Sequence, residues 1–177
     1  MKHEIELKAL LTKEQHKELI EKLSSEFKLI NKESVHTTRY KPGDIRLRFS
    51  NKTFEMVEKQ GDVSQGSRKE KVTKLANKEE FELKKKELDE KYEAYPSWIT
   101  HKQEFIYPCN GFEYTLCFQH TENFAHILEV EYMSEEDDLA IHEPNIRTIM
   151  LKLGVSPINP EDFKKRIQEY IEKNKTP

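Results

Sequence analysis

The chain has 177 residues, 35 % of them hydrophobic and 36 % charged. Its formal net charge of −3, from 30 basic and 33 acidic residues, excludes a generally basic nucleic-acid binder but leaves room for a local basic site. No apolar run approaches the length of a membrane span and the N-terminus lacks a signal-peptide core, so the expected setting is cytoplasmic, with no membrane partner.

So little apolar content leaves two outcomes, a disordered chain or a fold with a polar interior. Apolar residues fall into periodic segments separated by turn signals, which favours a fold, and a single domain over 1–177 is the simplest organisation. A first strand, "KHEIELKALL", is followed by a helix in which Thr12 is the N-cap and Gln15 completes a capping box. Leu19, Ile20, Leu23 and Phe27 repeat at helical spacing there, with His16 on the same packing face. Strands are expected near 28–38, 44–50, 53–60 and 67–74. A helix capped by Asn77 runs through "NKEEFELKKKELDEKYEAY", its lysine-rich run a solvated face. Strands near 97–107, 111–120 and 123–132 bring the total to eight. Two helices follow, in "PNIRTIMLKLG" and in "INPEDFKKRIQEYIEK", the second capped by Asn159 with Pro160 in its first turn.

Strand side chains alternate between faces, so residues two apart are neighbours on one face. Glu4, Glu6 and Lys8 share a face, with Ile5, Leu7 and Ala9 behind them. Arg46 and Arg48 share another, backed by Ile45, Leu47 and Phe49. Glu129 and Glu131 share a third, backed by Leu128, Val130 and Tyr132. Arg68 is in phase with Glu70, and Lys59 with Val57 and Glu55. Surface strands usually mix signs, whereas several of these sort by sign. The expected fold is therefore α+β: a closed eight-stranded antiparallel β-barrel with a charged interior, its apolar outer face coated by the helices. Charge inside a barrel is costly unless paired or bound to a ligand. Carboxylates on two strands suit a hard divalent cation, and arginines and lysines on others suit an anion with several oxygens. A polyphosphate with its metal satisfies both.

These residues resemble the CYTH superfamily, the triphosphate tunnel metalloenzymes. "EIELK" is similar to its E-x-E-x-K signature, and the likeness continues through Arg46 and Arg48, Lys59, Arg68 with Glu70, Lys102, and the "LEVE" of Glu129 and Glu131. The resemblance implies an eight-stranded tunnel and a Mg²⁺ or Mn²⁺ ion on Glu4, Glu6, Glu129 and Glu131. It implies a triphosphate gripped by Lys8, Arg46, Arg48, Lys59, Arg68 and Lys102. Catalysis is then expected to involve Lys8, Glu131 and Glu70, with a carboxylate activating water. The expected activity is metal-dependent hydrolysis of a triphosphate: inorganic, nucleoside, thiamine or the 5' end of RNA. A class IV adenylyl cyclase and a non-catalytic polyphosphate- or RNA-binding module are the alternatives, and both monomer and homodimer are compatible with the sequence.

Three positions depart from the family pattern. Glu104 and Gln119 stand where a basic residue and a metal-associated aspartate are common, and Glu161-Asp162-Phe163 replaces a basic residue followed by Ser-Tyr. His3, His36, His101, His120, His126 and His142 have no ligand spacing and are expected to be structural or on the surface. Trp98 is expected to anchor the outer coat, with base stacking as the alternative. Cys117 is expected to line the tunnel as a small side chain; it and Cys109 have no metal spacing, and nothing in the pair supports a disulfide, as in a reducing setting.

Overall fold

Alternation along the strands decides which face of the sheet turns inward. The computed structural model describes residues 1–61 and 66–174. Its elements are β1 (Lys2–Leu11), α1 (Lys13–Glu26), β2 (Leu29–Lys41), β3 (Asp44–Phe49), β4 (Phe54–Gln60), β5 (Ser67–Leu75), α2 (Lys78–Lys91), β6 (Glu93–Ala94), β7 (Trp98–Cys109), β8 (Phe112–Thr121), β9 (Ala125–Ser134), α3 (Leu139–Lys152) and α4 (Pro160–Asn174). The strands pair antiparallel in the order β3-β4-β5-β1-β9-β8-β7-β2, and β2 pairs back onto β3. Eight strands thus close into a ring, as the sign-sorted faces require. Among the described residues no helix is long and apolar enough to cross a membrane.

The apolar faces point outward, under helices. Ile5, Ala9, Phe105, Leu116, Phe118, Leu128 and Val130 form one buried layer with Leu23 of α1 and with Ile146, Ile149 and Met150 of α3. Tyr40, Leu47 and Leu75 form a second with Phe81 and Leu88 of α2. Each large side chain fully buried in this way contributes roughly 1.5–3 kcal/mol. The caps fall where the sequence places them. Thr12 Oγ1 accepts from Gln15 N at 3.1 Å while Gln15 Oε1 accepts from Thr12 N at 2.9 Å, and Asn77 Oδ1 accepts from Glu80 N at 2.9 Å. The β7–β8 hairpin turns on Asn110 and Gly111, whose φ values of 50° and 82° are the left-handed pair that matches the sheet twist.

Three boundaries differ from expectation. The lysine-rich helix stops at Lys91, and Glu93–Ala94 form a two-residue ninth strand against Tyr40 and Lys41. The end of β2, which runs to Lys41, presents backbone groups there: Tyr95 N donates to Arg39 O at 2.8 Å, and Lys41 Nζ meets Glu93 Oε1 at 2.8 Å. Helix α3 begins at Leu139 and carries Pro144 inside it. Proline costs a backbone bond there, but His142, buried and hydrogen-bonded to Tyr114 Oη at 2.9 Å, ties the preceding turn to the sheet.

Candidate active site

Strand register builds the site. On β1, Glu4, Glu6 and Lys8 face the bore. Glu4 lies opposite Arg68 of β5, Glu6 opposite Glu131 of β9, and Lys8 opposite Glu129. Lys59 of β4 lies opposite both Glu70 and Asp44. Arg46 of β3 lies opposite Arg39 of β2, and Lys102 of β7 opposite Gln119 of β8. The resulting side chains are deeply enclosed: Glu4 is 5 % exposed, Glu6 8 %, Lys59 9 % and Arg68 5 %.

Two charge clusters share this space. In the acidic one, Lys59 bonds Glu4 and, at 3.0 Å, Glu70; Lys8 bonds Glu6 and, at 2.9 Å, Glu129; Arg68 Nη2 donates to Glu6 Oε1 at 2.6 Å. In the basic one, Asp44 takes both Nε and Nη2 of Arg46 at 2.8 Å, faces Arg39 Nε at 3.0 Å and accepts from Arg68 Nη1 at 3.2 Å. Burial raises the pKa of Glu4, and Glu6 beside it adds to the effect. Burial acts the same way on Glu6, but Lys8, Lys59 and Arg68 outweigh it and hold that carboxyl well below its usual range. For Glu131 the relief is small, from Lys102 alone. Burial, then Glu4, Glu129 and Glu6, push it up to about 8. Among the described residues neither Glu131 nor Arg48 makes an ion pair.

One carboxylate oxygen from each of Glu4, Glu6 and Glu131 can be chosen so that all lie within 4.8 Å of one another. This all-oxygen donor set, with Glu131 short of positive charge, fits a hard divalent cation. Next to it is a cavity of about 210 Å³, lined by Lys8, Arg39, Arg46, Arg48, Lys59, Arg68 and Lys102 as well as by Glu4, Glu70, Glu129 and Glu131.

No family model and no curated protein matches the chain in sequence. Solved structures match in shape. PH1819 from Pyrococcus horikoshii superposes with a TM-score of 0.69 at 19 % identity, covering 94 % of this chain and 99 % of that one. HpAC1 from Hippeastrum, a candidate adenylyl cyclase with a dominant triphosphatase activity, gives 0.62 at 14 % identity, covering 90 % of each chain. A chain of the Mediator head module from Schizosaccharomyces pombe gives 0.64 at 16 % identity, covering 86 % and 94 %. The chain shares the fold of these proteins, a closed ring of eight antiparallel strands coated by helices.

The tunnel gathers the expected phosphate-gripping residues, Lys8, Arg46, Arg48, Lys59, Arg68 and Lys102, around one cavity, with Glu70 and Glu131 in the same wall. Glu129 lies outside the close carboxylate triad, held by Lys8 and by Gln119, which donates to it. Glu104 is tied to Asn31 at 3.1 Å, with Lys102 3.9 Å away. Glu161 and Asp162 are exposed, and it is Phe163 that turns toward the tunnel. Cys117 is buried and lies 3.4 Å from Gln119 Nε2; both cysteines are free. Trp98 corrects an expectation: it lines the tunnel cavity and not the outer coat, because it is in phase with Thr100 and Lys102 on β7. Arg39 and Asp44 are the residues the motif comparison misses. Parity finds Asp44, which is in phase with Arg46; Arg39 lies beyond the expected end of its strand, which runs on to Lys41.

Proposed function

We propose that the chain is a divalent-metal-dependent hydrolase of a triphosphate-bearing substrate. One observation carries the reading. Like charges directly opposite on paired strands destabilise a sheet, yet Glu6 faces Glu131 and Arg39 faces Arg46 inside one bore. A cation relieves the first pair and a polyanion the second.

In this reading Glu4, Glu6 and Glu131 hold Mg²⁺ or Mn²⁺, with Glu129 completing the acidic wall through Lys8. The ion, when bound, supplies polarisation of the phosphoryl oxygens. Arg46, Arg48, Arg68, Lys59 and Lys102 hold the phosphate oxygens by charge-assisted hydrogen bonds. Lys8, whose pKa is raised by Glu129 and Glu6 against the effect of burial, stays charged and faces the charge that develops in transfer. Water attacks the terminal phosphorus, the bond to the bridging oxygen breaks, and Glu70 or Glu131 takes the proton of the water. Phosphate and a diphosphate-bearing product leave. The dominant triphosphatase activity of HpAC1, which shares the fold, supports the reading.

The test is a panel of tripolyphosphate, nucleoside and thiamine triphosphates and 5'-triphosphate RNA, run with Mg²⁺ and then Mn²⁺. Phosphate release abolished by EDTA is expected, and Glu131→Gln should lower turnover by about 100-fold. No turnover of any compound with either metal rejects the enzyme. A solved protein of the same fold from Vibrio parahaemolyticus carries an adenylate cyclase description, so cyclic AMP and pyrophosphate are read in the same assay. Their appearance from ATP in place of phosphate assigns a cyclase.

A further inference from the structure

The lining of the tunnel cavity is not all charged. Beneath α4 it includes Trp98, Phe124, Tyr170, Phe163, Ile167 and Ile171. Part of this wall is the seat of the helix. Phe163 and Ile171 are buried, Phe124 meets Tyr170 and Phe163 with ring centroids 5.2 and 6.1 Å apart, and Tyr170 Oη donates to Glu122 O at 3.4 Å. Trp98 is different. It is half-buried, lines the cavity and, among the described residues, stacks on no other ring.

Register fixes how far this ring stands from the phosphate grip. Trp98 lies opposite Thr37 on β2, and Thr37 lies opposite Arg48 on β3. Two strand spacings, roughly 10 Å, therefore separate the indole from Arg48 on one rung of the barrel. The intervening inward residue is a small threonine, and Thr100, next along β7, is small as well. Arg48 is also the one arginine of the cavity lining without an ion pair among the described residues. A bare triphosphate uses the charged side chains and leaves the aromatic wall facing water. A flat ring joined to a triphosphate through a short linker uses both.

We infer that the tunnel binds aromatic triphosphate esters in preference to inorganic triphosphate, with the ring against Trp98 and the first phosphate near Arg48. This rests on the triphosphate reading above and deepens it. Stacking a base on an aromatic side chain is worth roughly tenfold or more in affinity.

Trp98 is the protein's one tryptophan, so its emission reports on this wall alone. The full-length protein is titrated in EDTA, which prevents turnover, with tripolyphosphate, methyl triphosphate, ATP, UTP and thiamine triphosphate. At least one aromatic ester is expected to bind about tenfold tighter than methyl triphosphate and to quench Trp98. In Trp98→Ala that affinity ratio falls toward one, measured by calorimetry, and Trp98→Phe restores part of it. Equal affinities for all five compounds overturn the inference and leave the triphosphate site standing. Binding of none of them, with or without Mg²⁺, overturns both.

Discussion

Asp44 is one carboxylate against three guanidinium groups. Arg46 grips it in the bidentate geometry, and Arg39 and Arg68 close in from β2 and β5. Burial alone would raise its pKa, but Arg46 first, then Arg39 and Arg68, hold it far below the usual carboxylate range. It therefore occupies the place an incoming phosphate oxygen would take. Asp44→Asn leaves Arg39 and Arg46 without their counter-ion and Arg68 with Glu6 and Glu4 alone, and breaking a buried pair in this way costs roughly 3–5 kcal/mol. The same change removes a competitor for the ligand. The variant should melt lower than wild type alone, yet gain more in Tm from a given concentration of tripolyphosphate. A smaller gain than wild type would show that Asp44 orders the arginines without competing with the anion. Alternation places Asp44 with Arg46 and Arg48, but its partners come from β2 and β5, which no local pattern joins.

At the scale of elements, the histidines make the same point. His16 of α1, His126 of β9, His120 of β8 and His101 of β7 form a chain of ring contacts, with centroids 4.8, 4.4 and 5.7 Å apart. Their spacing in the sequence means nothing until the β8–β9 hairpin sets His120 opposite His126 and α1 lays His16 over them. Burial, and then His126 and His120, lower His16 from 6.5 to about 4. His126 is lowered by burial, His120 and Lys13, with Glu14 opposing. Both folded-state values lie below the unfolded ones, so the unfolded chain takes up protons first. The stability of the α1 contact is present above about pH 6.5 and is lost as pH falls from there toward 4. Allowing for partial solvent screening, the loss at pH 5 is on the order of 1–2 kcal/mol. Urea denaturation at pH 7.5 and 5.0 should show that difference, and His16→Gln should flatten it. An unchanged slope in the variant would remove His16 as its source. Elements were legible where period and cap agreed, as at Thr12 and Asn77. They were illegible where a partner strand decided, as at Glu93–Ala94, or where packing overrode a proline, as at Pro144.

At the scale of the whole molecule, the barrel is inside out, with charge in the bore and grease beneath the helices. That much is readable locally, because a two-residue period states which residues share a face and the sign-sorted faces leave one way to close. The neighbours of each strand are not readable that way. Only closure sets Glu131 against Glu6, and only closure brings Trp98 of β7 onto the rung of Arg48. The consequence is a fold that holds like charges together at the expense of its own stability. Glu131 carries this most plainly, since it is crowded by Glu4, Glu129 and Glu6 and makes no ion pair among the described residues. Glu131→Gln keeps the shape, removes an acid that the fold must hold protonated near neutral pH at a cost in stability, and should raise the Tm of the ligand-free protein. Wild type, in turn, should gain from Mn²⁺ with tripolyphosphate. At about a hundred times Kd the linkage is worth about 2.7 kcal/mol, or roughly 5–10 °C for a chain of this size. The variant should lose most of that gain, because the acid it lacks is one that holds the ion. Opposite signs for the two effects are what a ligand site requires. A variant that melts lower than wild type both with and without ligand would make Glu131 a structural residue and leave the cation without its site.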